Sequence, residues 1–100
     1  MKHRIRWRQT AQDDLDNLYD WIADQAGGET AYEYTQQVKA RVEKLAGLPE
    51  WGAARHELGP GVRTIAYRRR TIIAYRVDGN IVEVLCIFHG GRELRVAFDA

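Results

Sequence analysis

Arginine dominates the chemistry this 100-residue sequence can do: 12 of its 15 basic residues are Arg. A planar, permanently charged guanidinium favours bidentate contact with carboxylates or phosphates over plain solubilisation. Arg63, Arg68, Arg69, Arg70 and Arg76 fall in one stretch without an acid, and Arg4, Arg6 and Arg8 alternate near the N-terminus. A sheet that aligned them would offer a stripe to phosphates or to an acidic groove on a protein. The alternative is that they are solvated or paired with acidic segments of the same chain. A net charge of +1 is far below that of a dedicated nucleic-acid binder, so no sequence-specific DNA binding is expected.

The other reactive side chains are few. His89 stands beside Gly90 and Gly91 at the end of an apolar run. There it is either a general base, since imidazole titrates near neutrality, or a turn-shaping hydrogen-bond partner of the backbone. His3 and His56 have no partners at ligand spacing, and a single cysteine cannot complete a metal set. Neither a metal nor a cofactor is expected. Cys86 lies within IVEVLCIF and reads as a buried, inert thiol. Serine is absent, which excludes a serine nucleophile, and the glycines form no phosphate-cradling motif. No residue is assigned a catalytic role.

The elements that carry these groups follow from periodicity. Residues 2–8 alternate Lys2, Arg4, Arg6 and Arg8 against His3, Ile5 and Trp7, a half-buried strand with its cations on one side. Thr10 followed by Asp13 signals a helix start with the threonine hydroxyl as cap. Ala11, Leu15, Leu18, Ile22 and Ala26 then form an apolar stripe that Gly27-Gly28 ends. A second stripe, Ala31, Tyr34, Val38, Val42 and Leu45, runs to Gly47 and Pro49. Two helices joined by so short a turn form an antiparallel hairpin. Residues 49–61 are loop. Residues 63–68 and 71–77 read as strands, and Asp78-Gly79 turns the chain into a last strand over 81–88. The tail that follows is open between coil, strand and helix.

The fold class predicted is α+β, in the order β-α-α-β-β-β, with an antiparallel sheet packed on a two-helix hairpin as one domain over residues 1–100. Charge is segregated along it: residues 9–38 hold seven acids and no Lys or Arg, and the remainder holds all 15 basic residues. No apolar run approaches the ~20 residues of a bilayer span, and the N-terminus has no signal-like core, so the expected location is cytoplasmic. Strict alternation puts Ile72, Ala74 and Arg76 on one face with Ile81, Glu83, Leu85 and Ile87. Both faces are therefore largely apolar. Helices cover only one, so the tail, a loop or another chain must cover the other. Trp21 lies off the centre of its stripe and Trp51 sits in the loop; each is either a protein-contact anchor or a cap on the core edge.

Five segments in this order resemble the RelE/ParE family of toxins from type II toxin-antitoxin modules. They are Ala11-x-x-Asp14-Leu15-x-x-Leu18-Tyr19-Asp20-Trp21-Ile22-Ala23; Pro49-x-x-Gly52; Glu57-Leu58-Gly59-Pro60-Gly61-Val62-Arg63; Tyr75-Arg76-Val77; and Val82-Glu83-Val84-Leu85 with its exit His89-Gly90-Gly91-Arg92. The resemblance spans nearly the whole chain. It implies either of two chemistries. RelE-like members are similar to ribosome-dependent messenger-RNA endoribonucleases, with basic residues, a post-strand arginine and an aromatic hydroxyl near the C-terminus. ParE-like members trap DNA gyrase on cleaved DNA. Arg92 matches the arginine, but Phe98 stands where the tyrosine is expected and no lysine follows Lys44. A phenyl ring cannot transfer a proton.

The resemblance therefore implies a non-enzymatic, ParE-like gyrase inhibitor neutralised by a cognate ParD-like antitoxin. A RelE-like ribonuclease and a non-toxic antitoxin-binding co-regulator are the alternatives. Arg63, His89 and Arg92 are the toxicity candidates; Ile72, Arg76, Leu85, Ile87 and Trp21 are the antitoxin-binding candidates.

Overall fold

The structure, a computed structural model, describes residues 2–90. β1 (Arg4–Trp7) leads into α1 (Gln9–Ala26) and α2 (Gly28–Glu43), followed by a 3-10 turn at Lys44–Ala46. Next come β2 (Ala53–Ala54), a 3-10 turn at His56–Leu58, and β3 (Val62–Tyr67), β4 (Thr71–Asp78) and β5 (Ile81–His89). The strands form one sheet in the order β1-β5-β4-β3-β2. The expected α+β plan is present, with two additions. A two-residue strand, β2, extends the edge beside β3. β1 runs parallel to β5, Arg4 opposite Ile81, so the sheet is mixed; the long passage through two helices supplies the crossover a parallel pair needs.

Gly27 alone separates the helices. At φ +95° it donates its N–H to Ala23 O at 2.9 Å and accepts from Ala31 N–H at 3.1 Å, ending one helix and starting the next. The N-terminal cap differs from expectation. α1 begins at Gln9 without a side-chain cap, and the Thr10 hydroxyl donates instead to Leu85 O of β5 at 2.8 Å. Asp14 works alongside it, accepting the Ile87 N–H at 2.9 Å. Beyond Trp7 opposite Val84, β1 no longer pairs with β5, and these two side chains satisfy strand-edge groups that a neighbouring strand would otherwise bind.

The helical stripes meet the inner face of the sheet. Leu15, Leu18, Ile22, Val38, Val42 and Leu45 pack on Ile65, Ile73, Tyr75, Val82, Val84 and Ile87. Each such aliphatic side chain contributes roughly 1.5–3 kcal/mol on burial. The outer face carries a second cluster, Leu58, Val62, Ala74, Leu85, Cys86 and Phe88, with Ile72 beside it.

A β-bulge decides which residues reach which face. Ala74 lies opposite Cys86 but Tyr75 lies opposite Val84, so Leu85 is the extra residue of β5. Val82, Val84 and Ile87 point to the helices, while Leu85, Cys86 and Phe88 point away. This corrects the expectation for Ile87. Alternation placed it on the outer face; the bulge turns it into the helix-packed core.

The β3–β4 connection is strained. Tyr67 pairs with Thr71 across Arg68-Arg69-Arg70, and Arg68 and Arg69 sit at φ +54° and +65°. For residues with a Cβ this left-handed conformation costs about 1–2 kcal/mol each. No described helix is long and apolar enough to cross a membrane.

Candidate functional site

The strand ends and the helix hairpin build one polar–aromatic hub around Thr71. Register sets Thr71 directly opposite His89. The Thr71 Oγ1 lies 2.6 Å from the Tyr34 hydroxyl of α2 and 2.7 Å from His89 Nδ1. Thr71 is fully buried, and its single hydroxyl proton can serve only one of these neighbours, so the other must donate to it. The His89 ring is enclosed by aromatic rings, Trp21 at 5.1 Å between centroids and Tyr34 edge-on at 5.9 Å. Tyr34 in turn meets Tyr67 at 5.1 Å. Burial holds the imidazole below its ordinary range, and the Arg70 guanidinium adds to the shift. The ring is thus kept neutral, with Nδ1 committed to a side chain rather than to the backbone partner expected for a turn histidine.

Beside the hub, α1 and the end of β5 enclose a cleft of about 500 Å³ lined by Asp14, Asn17, Leu18, Trp21, Ile87 and His89. Trp21 is half exposed on its rim. The indole therefore spans both readings offered for it, packed on His89 on one side and open on the other.

The outer sheet face carries the predicted charge stripe in part. Arg6 pairs in register with Glu83 and Glu83 with Arg76, so the three form a row across β1, β5 and β4. Arg8 Nη2 donates to Glu83 Oε1 at 3.1 Å, and Arg76 Nε donates to Pro60 O at 3.1 Å. Ile72 is partly buried and Leu85 buried in the adjoining apolar cluster. The sheet aligns Arg4, Arg6 and Arg8 with Arg76 but not with Arg63, which points to the other face.

Arg63 has a local task. Its Nη1 donates to Gly52 O at 2.8 Å and to Glu50 O at 3.3 Å. The same loop is held by Tyr75, whose hydroxyl donates to Pro49 O at 2.9 Å and accepts from Gly52 N–H at 2.8 Å. Burial raises the pKa of this phenol, so it remains a donor. Arg41 closes the loop from α2: Nε and Nη2 donate to Ala66 O at 3.2 and 3.1 Å while its guanidinium lies 5.2 Å from the Trp51 ring centre.

Of the toxicity candidates, the structure brings His89 into the hub, separates Arg63 from it, and leaves Arg92 outside the described residues, together with Phe98 and the rest of the tail. Tyr34, Thr71 and Tyr67 were not singled out from sequence as site residues. Thr71 had one weak signal, a hydroxyl opening the apolar run TIIAYRV; Tyr34 read only as a stripe residue. Among the described residues no three His, Cys, Asp or Glu side chains gather to hold a metal ion.

A family model described as the ParE toxin of the type II toxin-antitoxin system parDE matches residues 5–94. The chain belongs to this ParE toxin family. Toxin ParE1 of Mycobacterium tuberculosis is 28% identical over 90 residues, covering 89% of this chain and 91% of the relative. A chain from a chromosomal ParDE toxin-antitoxin system of P. aeruginosa superposes with a TM-score of 0.78 at 30% identity, covering 88% of this chain and 96% of that one. The E. coli toxin RelE in a mutant, free state shares the fold, with a TM-score of 0.68 at 15% identity over 97% of this chain and 93% of that one. Two of the ParE-like sequence segments now have physical content. Pro49-x-x-Gly52 and Tyr75-Arg76-Val77 meet at the Tyr75 hydroxyl, and a Cβ on Gly52 would lie 2.6 Å from it.

Proposed function

We propose that this ParE-family toxin blocks replication by binding DNA gyrase and stabilising its DNA-cleaved covalent state, without catalysing a reaction itself. The family match over residues 5–94 carries the reading. The hub is compatible with it: the His89 ring, boxed by Trp21 and Tyr34 with Nδ1 bonded to Thr71, belongs to a fixed aromatic surface of the kind protein contacts use. His89, Arg92 and Arg63 remain the residues proposed to matter for toxicity, Arg63 by fixing the 49–52 loop.

The partner is a ParD-like antitoxin. The P. aeruginosa relative comes from a ParDE system, and a RelBE2 toxin-antitoxin complex of M. tuberculosis shares the fold at a TM-score of 0.57. Its C-terminal segment covers the outer apolar face around Ile72 and Leu85, meets Arg76 with an acid, and reaches Trp21 on the helix hairpin.

The test is the rate of DNA synthesis and of protein synthesis immediately after induction without a partner. DNA synthesis falling first, with a DNA-damage response, is the expected result. Protein synthesis collapsing first means a ribosome-dependent ribonuclease, and unimpaired growth means a co-regulator that has lost toxicity.

A further inference from the structure

Apart from the Arg70 charge that reaches His89, the Arg68-Arg69-Arg70 tip takes no part in the hub or in the outer-face contacts, yet the chain holds it in an unfavourable shape. Arg68 and Arg69 both occupy the left-handed region, where Asn and Gly fit without strain. Packing asks little of arginine there: all three residues are exposed, and the Arg68 guanidinium lies over the Tyr67 ring. Among the described residues none of the three forms an ion pair. An observed backbone outlier of this kind points to function.

The tip is also anchored on both sides. Its base is the Tyr67–Thr71 pair, with Thr71 buried and bonded to Tyr34 and His89, and Arg70 O accepts the Gly90 N–H at 3.1 Å. Three guanidinium groups are thus presented on a fixed base, which lowers the ordering cost of a contact. Beside them runs a groove of about 570 Å³ lined by Tyr32, Tyr34, Tyr67, Gln37 and Arg68. Tyr32 is 58% exposed, and the Arg68 guanidinium lies 5.4 Å from the Tyr67 ring centre. Tyrosine beside arginine is the composition of an anchor site for protein.

We infer that this tip and its tyrosine groove dock an acidic patch on the toxin's protein target. A protein surface whose carboxylates meet the arginines and whose neighbouring apolar side chains enter the groove is favoured over a nucleic-acid backbone, because Glu33 lines that groove and the helices carry the seven-acid block. A long polyanion would meet those acids; a local patch need not. The inference rests on the toxin reading, and it deepens that reading by assigning the target-facing element.

The experiment uses the full chain with Arg68→Asn and Arg69→Gly combined, residues that relax the turn. The expected result is a melting temperature raised by at least about 4 °C, together with loss of growth arrest and binding to purified gyrase holoenzyme weakened at least about tenfold. Arg70→Glu, outside the two left-handed positions, is expected to abolish arrest in a chain of unchanged melting temperature. A stabilised double variant that still arrests growth overturns the proposal, as does tip-dependent binding to a 20-nucleotide single-stranded or duplex probe in place of protein. If the parent chain arrests growth without binding gyrase, the gyrase assignment fails and the tip is judged on growth arrest alone. A parent chain that leaves growth untouched overturns both.

Discussion

The Gly52 amide donates to the Tyr75 hydroxyl at 2.8 Å, and a Cβ at Gly52 would lie 2.6 Å from that oxygen, 2.7 Å from Cε1 of the same ring and 2.9 Å from Thr64 O. Tyr75 is fully buried, so the ring cannot swing aside, and one of the three neighbours is backbone. Gly52→Ala is therefore expected to destabilise the fold by about 1–3 kcal/mol through overpacking. Urea denaturation of the two proteins measures this, and an unchanged midpoint would mean that the loop yields without cost.

His89 links stability to pH. Its folded pKa lies below the ordinary 6.5, first because the half-buried ring is partly desolvated and then because Arg70 is near. The unfolded chain thus takes up the proton first as pH falls. The contribution is fully present above the unfolded value and is lost as pH drops through it toward the folded one. A protonated ring must also donate to Thr71, forcing one sense on the chain of hydroxyls. Comparing urea midpoints at pH 8 and pH 5 should show a larger acid loss in the parent than in His89→Gln; equal losses would place the titration elsewhere.

Thr71→Val keeps the shape of the buried side chain and removes its hydroxyl. Tyr34 and His89 then lose the partner they share at 2.6 and 2.7 Å. Unmade hydrogen bonds at a buried site cost about 1–3 kcal/mol. Thermal denaturation checks the loss, and a variant as stable as the parent would show that the hub contributes orientation rather than stability.

Cys86 sits in the outer cluster with its thiol pushed up to about 12, by burial and then by the Asp14 carboxylate. Thiolate is the reactive form. The folded chain should therefore resist iodoacetamide at pH 8 and react promptly once unfolded in urea, with mass spectrometry as the readout. Rapid labelling of the folded protein would contradict this burial.

Much of the frame was legible because it rests on local periodicity. The stripes through Ala11, Leu15, Leu18 and Ile22 and through Ala31, Val38 and Val42 face the core as their spacing requires, and Asp78-Gly79 does turn β4 into β5. What stayed hidden depends on partners distant in sequence. Thr10 looks like a helix cap until β5 arrives with an unpaired carbonyl 75 residues later. Arg63 looks like a free cation until the 49–52 carbonyls surround it. Alternation failed at Leu85 because one extra residue inverts the faces of everything after it, and that alone moved Ile87 from surface to core. The Tyr34–Thr71–His89 hub joins three elements whose residues carry no common motif.

The parallel pairing of β1 with β5 has a consequence for how the toxin is made. Arg4 finds its strand partner only at Ile81, and Thr10 and Asp14 bond to Leu85 and Ile87. A ribosome must therefore deliver β5 before the first strand has a neighbour to pair with and the leading helix has these bonds. Until then the helix hairpin lacks Val82, Val84 and Ile87, a large part of the surface against which its stripes are buried, and most helical stability comes from such packing. The fold closes late, by contacts far apart along the chain. A nascent chain that stops short of β5 therefore carries its leading strand and helix without the strand that Thr10 and Asp14 bond to.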